Sequence, residues 1–487
     1  MIAEPERSRW PNILMVGVAA IAFFLLARRA IFNLDTAGDA LAYHLPFAAR
    51  YVGLCDDDCY AFLPFFDELF RSFPPLADWL LGVFWRLTGR PEGANFVALT
   101  SLMVLTIYIW RFLMVPWGLA VISLLAIPVV QIFSTSSYID LTVNAAASIC
   151  ILSIFNLAMY PGRFGWPSVA AFCASLVFLG NAKMQMFGIS ALCGIAFVVL
   201  TSVSRDAPVH GFWRVHWRNP LGIAAILLLG LATAYSGIHN FITFGNPVYP
   251  VKISLLGFQL PGLLGTVAPN SRPAYLADAP GPVAWLLSVL EFKAFDARHT
   301  PWTLGQADIP VTTDSYRMGG YFGVYVLLIV SMFWFASASS PRRERWIARS
   351  FVMILSLFTA IMPAANELRY YMFWMICLVT ITLHLALANT ERTTQRLIVA
   401  IVICCGAYVT ILSGGRFFRM GGGDAEAIVN GLGVRAEIDA VKDGATICVK
   451  DKLPLTFLYA KIFHPGRNYR TIEGANGECP DPKLSQH

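Results

Sequence analysis

The chain has 487 residues, of which 57% are hydrophobic and only 14% charged, with a formal net charge of +6. Its mean hydropathy is +0.60, whereas a soluble protein carries about a quarter charged residues. The apolar residues come in blocks near span length, which excludes an ordinary soluble enzyme and indicates an all-α polytopic membrane protein. The basic residues sit in short loops between those blocks, so the positive balance argues for no nucleic-acid partner.

In chain order the blocks are Asn12–Phe32, Pro75–Thr88, Asn95–Leu113, Trp117–Phe133, Ile139–Tyr160, Trp166–Leu179, Met184–Val203, Leu221–Phe241, Gly319–Ala338, Ser350–Pro363, Tyr370–Leu387 and Leu397–Leu412. They number about twelve, against a hydrocarbon core that needs about 20 residues per helix. The first lacks a small-residue cleavage site and reads as a retained signal anchor. No repeat or low-complexity tract is visible.

Loop charge orients the blocks. Ser204–Asn219 holds Arg205, Arg214 and Arg218; Ser340–Arg349 holds Arg342, Arg343, Arg345 and Arg349; Thr390–Arg396 holds Arg392 and Arg396. All three read as cytoplasmic. Alternation then puts Arg163, Arg111 and the N-terminal Arg7 and Arg9 inside, and Asp140 outside. The parity closes only if one early block does not cross. Pro75–Thr88 is short, opens on Pro74-Pro75 and contains Asp78 and Arg86, so it reads as an interfacial helix, leaving about eleven spans. One conflict remains, because Arg28 and Arg29 fall at the outer end of the first span, where they snorkel or meet an anion.

This topology gathers one set of segments outside: Asn33–Pro74, the hinge at Asp140, the Gly180–Lys183 turn, the Gly245–Arg317 loop, the Asn366–Arg369 turn and the C-terminal tail. The Gly245–Arg317 loop has a length usually tied to function, and Ala284–Phe295 within it reads as another interfacial helix. The division expected is a transmembrane domain over 1–413, with outer loops at 33–94 and 245–317, and a small extracytoplasmic α/β domain over 414–487. In the latter, Gly421-Gly422-Gly423 is a hinge, Ala445–Val449 a strand, Leu453–Phe463 a helix and Asn468–Ile472 a strand. Such a unit is near the lower limit for independent folding, and a Cys448–Cys479 bridge would support it. Cys55 and Cys59 flank Asp56, Asp57 and Asp58, where a disulfide or a metal site are both open.

Asn33–Val52 is the most informative stretch. Asp39 precedes Tyr43 by four residues, which puts both on one helix face. Pro46 has no N–H for the preceding turn and bends the helix. The segment reads as an amphipathic helix lying on the membrane surface with an acid at the boundary, or as a plain capped helix. Three further polar features share its compartment: Ser137-Tyr138-Ile139-Asp140, Lys183, and Glu367-Leu368-Arg369-Tyr370-Tyr371. Ionisable groups at membrane depth are costly and default to function. Two acids and two bases around one cavity suit a carboxylate base and a cationic grip on a phosphate leaving group. Each has a structural alternative: Asp140 as a helix cap, Lys183 as a snorkelling flank, Arg369 paired with Glu367 or a headgroup, and His44 as a satisfied interfacial side chain.

The ordered segments D-A-L-A-Y-H-L-P-F-A (Asp39–Ala48), P-P-L-A-D-W (Pro74–Trp79), S-Y-I-D (Ser137–Asp140), F-G-N-P-V-Y-P (Phe244–Pro250) and E-L-R-Y-Y (Glu367–Tyr371) resemble the GT-C superfamily of integral-membrane glycosyltransferases. The nearest likeness is to the bacterial branch related to protein mannosyltransferases and lipid A aminoarabinose transferases. The resemblance covers most of the chain before Gly414. It implies a GT-C-like fold in a bacterial inner membrane, with the site facing the periplasm. The donor would be a polyprenyl-phosphate-linked sugar, and the acceptor a glycan, lipid or protein. Asp39 would then be the general base and Asp140 the second acid. Lys183 and Arg369 would bind the phosphate, with Tyr43, His44 and Tyr370 also lining the substrate site. No protein metal ligand is assigned, and assistance by a divalent metal stays open. Many relatives carry Asp-Glu where this chain has Asp39-Ala40, and the tail after Gly414 matches no family domain. The alternatives are a flippase of a lipid-linked glycan, disfavoured because the ionisable groups sit at span ends without a repeat, and a non-catalytic scaffold.

Overall fold

A computed structural model describes residues 9–204, 220–255, 258–264, 276, 278–291, 320–449, 454–474 and 485–486. The Ser204–Asn219 loop therefore lies almost wholly outside the described residues, as do Cys479 and most of the second half of the long outer loop.

Every apolar block is helical. The helices are α1 (Arg9–Phe32), α2 (Leu45–Tyr51), α3 (Pro64–Ser72), α4 (Leu76–Thr88), α5 (Phe96–Leu113), α6 (Trp117–Leu125), α7 (Pro128–Phe133), α8 (Asp140–Met159), α9 (Trp166–Ala182), α10 (Phe187–Val203), α11 (Pro220–Phe244), α12 (Gly281–Val289), α13 (Gly323–Ala338), α14 (Arg342–Ile361), α15 (Met372–Asn389), α16 (Arg392–Leu412), α17 (Ala425–Gly431) and α18 (Val434–Asp439). Seven of them, α1, α5, α8, α10, α11, α15 and α16, are long and apolar enough to cross a membrane, and α9 and α13 are shorter apolar helices. The remaining two expected spans take other forms. Trp117–Phe133 breaks at Pro128 into α6 and α7, and α14 begins with its arginines. This is a multi-pass membrane protein.

Helices α8 and α15 are buried along nearly their whole length and form the centre of the bundle. By contrast α11 turns Leu227, Leu228, Leu231 and Ile242 outward, the surface a bilayer covers. Glycine sets the closest approaches: a Cβ at Gly180 of α9 would overlap the Thr233 carbonyl of α11. Arginines close the helix ends. Arg343 donates to the Ala158 and Met159 carbonyls of α8, and Arg345 to Ala338 of α13, which satisfies orphan acceptors at helix C-termini. Arg29 resolves in the same way: it donates to Thr135 Oγ1 at 3.1 Å and to the Arg416 and Arg419 carbonyls, so it ties the end of α1 to the chain after α16. It needs neither snorkelling nor a bound anion.

The first outer loop differs from expectation in two ways. Residues Ala40–His44 form a π-turn, with the Leu45 N–H bonded to the Ala40 carbonyl. Pro46 explains it, because an α-helical Pro46 would clash with the Ala42 carbonyl and give it no N–H. A third interfacial helix, α3, also stands beside α2 and α4; its signals in the sequence were Pro64 at the first turn and the Asp67–Arg71 pair four apart, 2.7 Å in the structure. Arg50 fastens this loop: it lies 5.0 Å from the Phe62 ring and 4.9 Å from the Phe70 ring, and pairs with Asp57 and Asp67. Cys55 and Cys59 form a disulfide, so these thiols do not serve a metal.

The tail carries a parallel sheet of β1 (Ala445–Val449), β2 (Tyr469–Glu473) and β3 (Ser485–Gln486), ordered β2-β1-β3. Leu453–Phe463 was expected to be one helix; the described part is instead two short 3₁₀ turns, Leu455–Tyr459 and Lys461–Phe463, and α17 and α18 precede the sheet. In the long loop the interfacial helix is Gly281–Val289, earlier and shorter than Ala284–Phe295. Cys448 is disulfide-bonded.

The tail is docked, not hinged free. Ala61 of the first outer loop bridges Ile472 in parallel, donating to the Thr471 carbonyl at 2.9 Å and accepting from the Glu473 N–H at 3.3 Å. Tyr60 and Trp85 pack on Phe457. The buried Glu473 carboxylate accepts from the Leu63 N–H at 3.3 Å and from Thr456 at 3.4 Å. At the other end, Leu34 donates to the Gly423 carbonyl and Asp424 pairs with Arg90. Burial pushes the Glu473 carboxyl above its ordinary value, against its hydrogen bonds. A raised native pKa means that docking is strongest below the ordinary glutamate range and weakens as pH rises through the native pKa. Protease resistance of the tail, followed against pH, should fall across that window in the wild type and much less in Glu473→Gln.

Candidate active site

Five of the seven expected residues form one cluster, delivered by four separate helix ends. Arg369, in the 3₁₀ turn that opens α15, donates from Nη1 to Asp39 Oδ2 at 2.8 Å. Lys183, just past the end of α9, places Nζ 2.7 Å from Asp140 Oδ1 at the start of α8. The Tyr370 ring joins the two pairs: Lys183 Nζ lies 4.6 Å from its centroid and the Arg369 guanidinium 4.8 Å. Arg369 Nη2 also donates to the Tyr370 hydroxyl at 3.1 Å. Both cations thus pack on one aromatic ring, which favours positive charge there.

The structural alternatives can be weighed directly. Asp140 makes no side-chain cap bond to α8 and faces Lys183. Lys183 turns inward, its side chain 13% exposed, instead of reaching for a lipid surface. Arg369 pairs with Asp39 and is buried at 6%. Among the described residues, Asp140 Oδ2 and Arg369 Nε are buried without a hydrogen-bond partner, so the cluster has unused bonding capacity of both signs.

A layer of polar residues holds the cluster. Tyr138 accepts the Asp39 N–H at 2.9 Å, and the Arg369 guanidinium sits 5.6 Å from its ring. Asn144 of α8 donates to the Arg369 carbonyl at 3.0 Å and accepts the Phe373 N–H at 3.0 Å, binding α8 to the start of α15. Asp35 accepts from Ser136 and from the Ser137 N–H, joining the loop after α1 to the turn before α8. Asn144 and Asp35 were not singled out as site residues, although an Asn inside an apolar span is a usable signal.

Tyr43 and His44 stand next to the cluster without joining its two ion pairs. Tyr43 is packed edge-on against Phe73 behind Asp39, and burial pushes its phenol far above the ordinary value, so it stays protonated. His44 turns away from the cluster to Asp78 of α4, with Nδ1 2.7 Å from Oδ1. Burial pushes the Asp39 carboxyl up, but the Arg369 guanidinium beside it wins and leaves it below the usual carboxylate range. Among the described residues no group of three or more His, Cys, Asp or Glu side chains is placed to hold a metal.

An apolar groove of about 850 Å³ runs between α9, α10 and α11, lined by Leu176, Gly180, Phe187, Ile195 and Ile238 among others. Two of its lining residues, Gly180 and Phe187, bracket Lys183 in the chain.

No family model and no curated protein sequence matches the chain. Solved structures do. ArnT from Cupriavidus metallidurans bound to undecaprenyl phosphate superposes with a TM-score of 0.55 at 14% identity, covering 97% of this chain and 87% of that one. The same protein in the apo state gives 0.51 at 13% identity, covering 96% and 86%. At that identity the likeness is one of fold, and it extends over nearly the entire chain: the fold is GT-C-like.

Proposed function

We propose that the chain is a glycosyltransferase of the bacterial inner membrane. It would move a sugar from a polyprenyl-phosphate donor to a periplasmic glycan, lipid or protein. The observation that carries this reading is the pair of cations packed on the Tyr370 ring, each held by a carboxylate. The solved neighbour binds undecaprenyl phosphate, and the features here suit the same class of ligand. The polyprenyl chain lies in the groove, which brings its phosphate to Lys183 and Arg369. The forked guanidinium and the ammonium then neutralise the phosphate oxygens.

The ion pairs also order the steps. Asp39 bonded to Arg369 is a weak base. A donor phosphate competes for Arg369, loosens that pair and lets burial raise the Asp39 pKa. Asp39 then takes the proton from the acceptor hydroxyl or amine. The acceptor lone pair attacks the anomeric carbon, the bond from that carbon to the phosphate oxygen breaks, and its electrons stay on the leaving phosphate. A single displacement of this kind inverts the anomeric centre. Asp140 holds Lys183 on the leaving group.

Two measurements test the reading. Sugar transfer from a polyprenyl-phosphate donor should fall about 10²–10⁴-fold in kcat in Asp39→Asn membranes, with donor KM little changed; wild-type-like turnover would remove the base. In Arg369→Ala, donor KM should rise and kcat fall about 10²-fold. The acidic limb of the residual pH–rate profile should move to higher pH, because burial is then no longer opposed by the guanidinium. An acidic limb that stays in place would separate Arg369 from the base.

A further inference from the structure

One buried hydrogen-bonded pair lies next to the Asp39 turn and has no part in the chemistry above. Asp78 Oδ1 and His44 Nδ1 are 2.7 Å apart, with both side chains buried. Apolar residues of similar volume in place of such a pair are often neutral or stabilising, so stability alone does not account for it.

Its surroundings do. Asp39 opens the π-turn and His44 closes it. Bonding from i to i+5 carries residues 43 and 44 to either side of residue 39, whereas an α-turn would carry residues 42 and 43 there and leave His44 out. The His44 ring packs on Tyr43 at 4.3 Å and on Tyr138 at 5.7 Å, and Tyr138 in turn accepts the Asp39 N–H. Among the described residues, Asp78 is the sole hydrogen-bond partner of that ring. Asp78 stands on α4, and α4 is pressed on α2 because Gly82 leaves room for the Ala48 carbonyl. Pro46 disfavours an unbroken α-helix here but does not decide where the widened turn falls.

We propose that the Asp78–His44 pair is a positioning device: it fixes the register of the π-turn and thereby aims Asp39 at Arg369, touching neither substrate. Its consequence for turnover rests on the functional reading above; its consequence for geometry does not.

The test is the double variant His44→Phe with Asp78→Leu, which removes both hydrogen-bonding groups and roughly keeps the volume. Its structure is solved in the absence of substrate, and its sugar transfer and its binding of polyprenyl phosphate are measured. The expected result is a protein that melts no lower than wild type and binds polyprenyl phosphate with unchanged affinity. Asp39 is displaced from Arg369, and kcat falls about 10²-fold with donor KM unchanged. In His44→Asn, whose side-chain amide can still donate to Asp78, most of the turnover and the Asp39–Arg369 contact return. An Asp39–Arg369 contact kept intact in the double variant overturns the proposal. A displaced Asp39 in a protein whose wild type transfers no sugar upholds the positioning role and removes the glycosyltransferase reading instead. Should the double variant not fold, Asp78→Ala, which leaves the His44 ring no partner on α4, carries the same structural readout: Asp39 displaced supports the proposal, and Asp39 unmoved overturns it.

Discussion

Two ion pairs that share one tyrosine ring set the terms for this molecule. Arg369 with Asp39 and Lys183 with Asp140 come from four helix ends, and Tyr370 lies against both cations. In a poorly solvated site neither sign can stand alone, since an unpaired buried charge costs several kcal/mol or more. The ends of α1 and α9 and the starts of α8 and α15 must therefore meet at the same end of the bundle. That requirement reproduces the alternation of loops read from the arginines. It also explains the burial of α8 and α15, whose polar contacts through Asn144 lock the two central helices before any ligand enters.

The same balance shapes reactivity. A carboxylate that neutralises a guanidinium cannot also be a strong base, so a resting site built this way is quiet. An anionic substrate is the natural means of waking it, because it takes over the cation and leaves the carboxylate buried with less support. Selectivity for a phosphate-bearing donor would then be part of the catalytic cycle and not a separate recognition step.

Much of this was legible in the sequence, for identifiable reasons. Charges at the edges of apolar blocks are conspicuous, and Asp39, Asp140, Lys183 and Arg369 were each found that way. Block lengths gave the helices, α4 among them. Other features had no local signature. The partner of His44 is 34 residues away on another element, and nothing in D-A-L-A-Y-H announces it. Pro46 signalled a bend but not that the strain would be absorbed as a widened turn. The placement of the tail was the least legible part, because it depends on single backbone bonds such as those of Ala61, to which any residue but proline could contribute.

That placement has a consequence for biosynthesis. The platform under Asp39 is completed by backbone and side chains more than 380 positions later, from Gly421 meeting Asn33 to Glu473 meeting Leu63. The N-terminal span enters the bilayer long before those residues have been translated and exported. Until they arrive, the loop bearing the acid has an open edge and no lid of aromatic rings. A chain interrupted ahead of Gly421 would lack the partners that Asn33, Ala61 and Leu63 meet here, so the edge of the loop bearing Asp39 would stay unpaired.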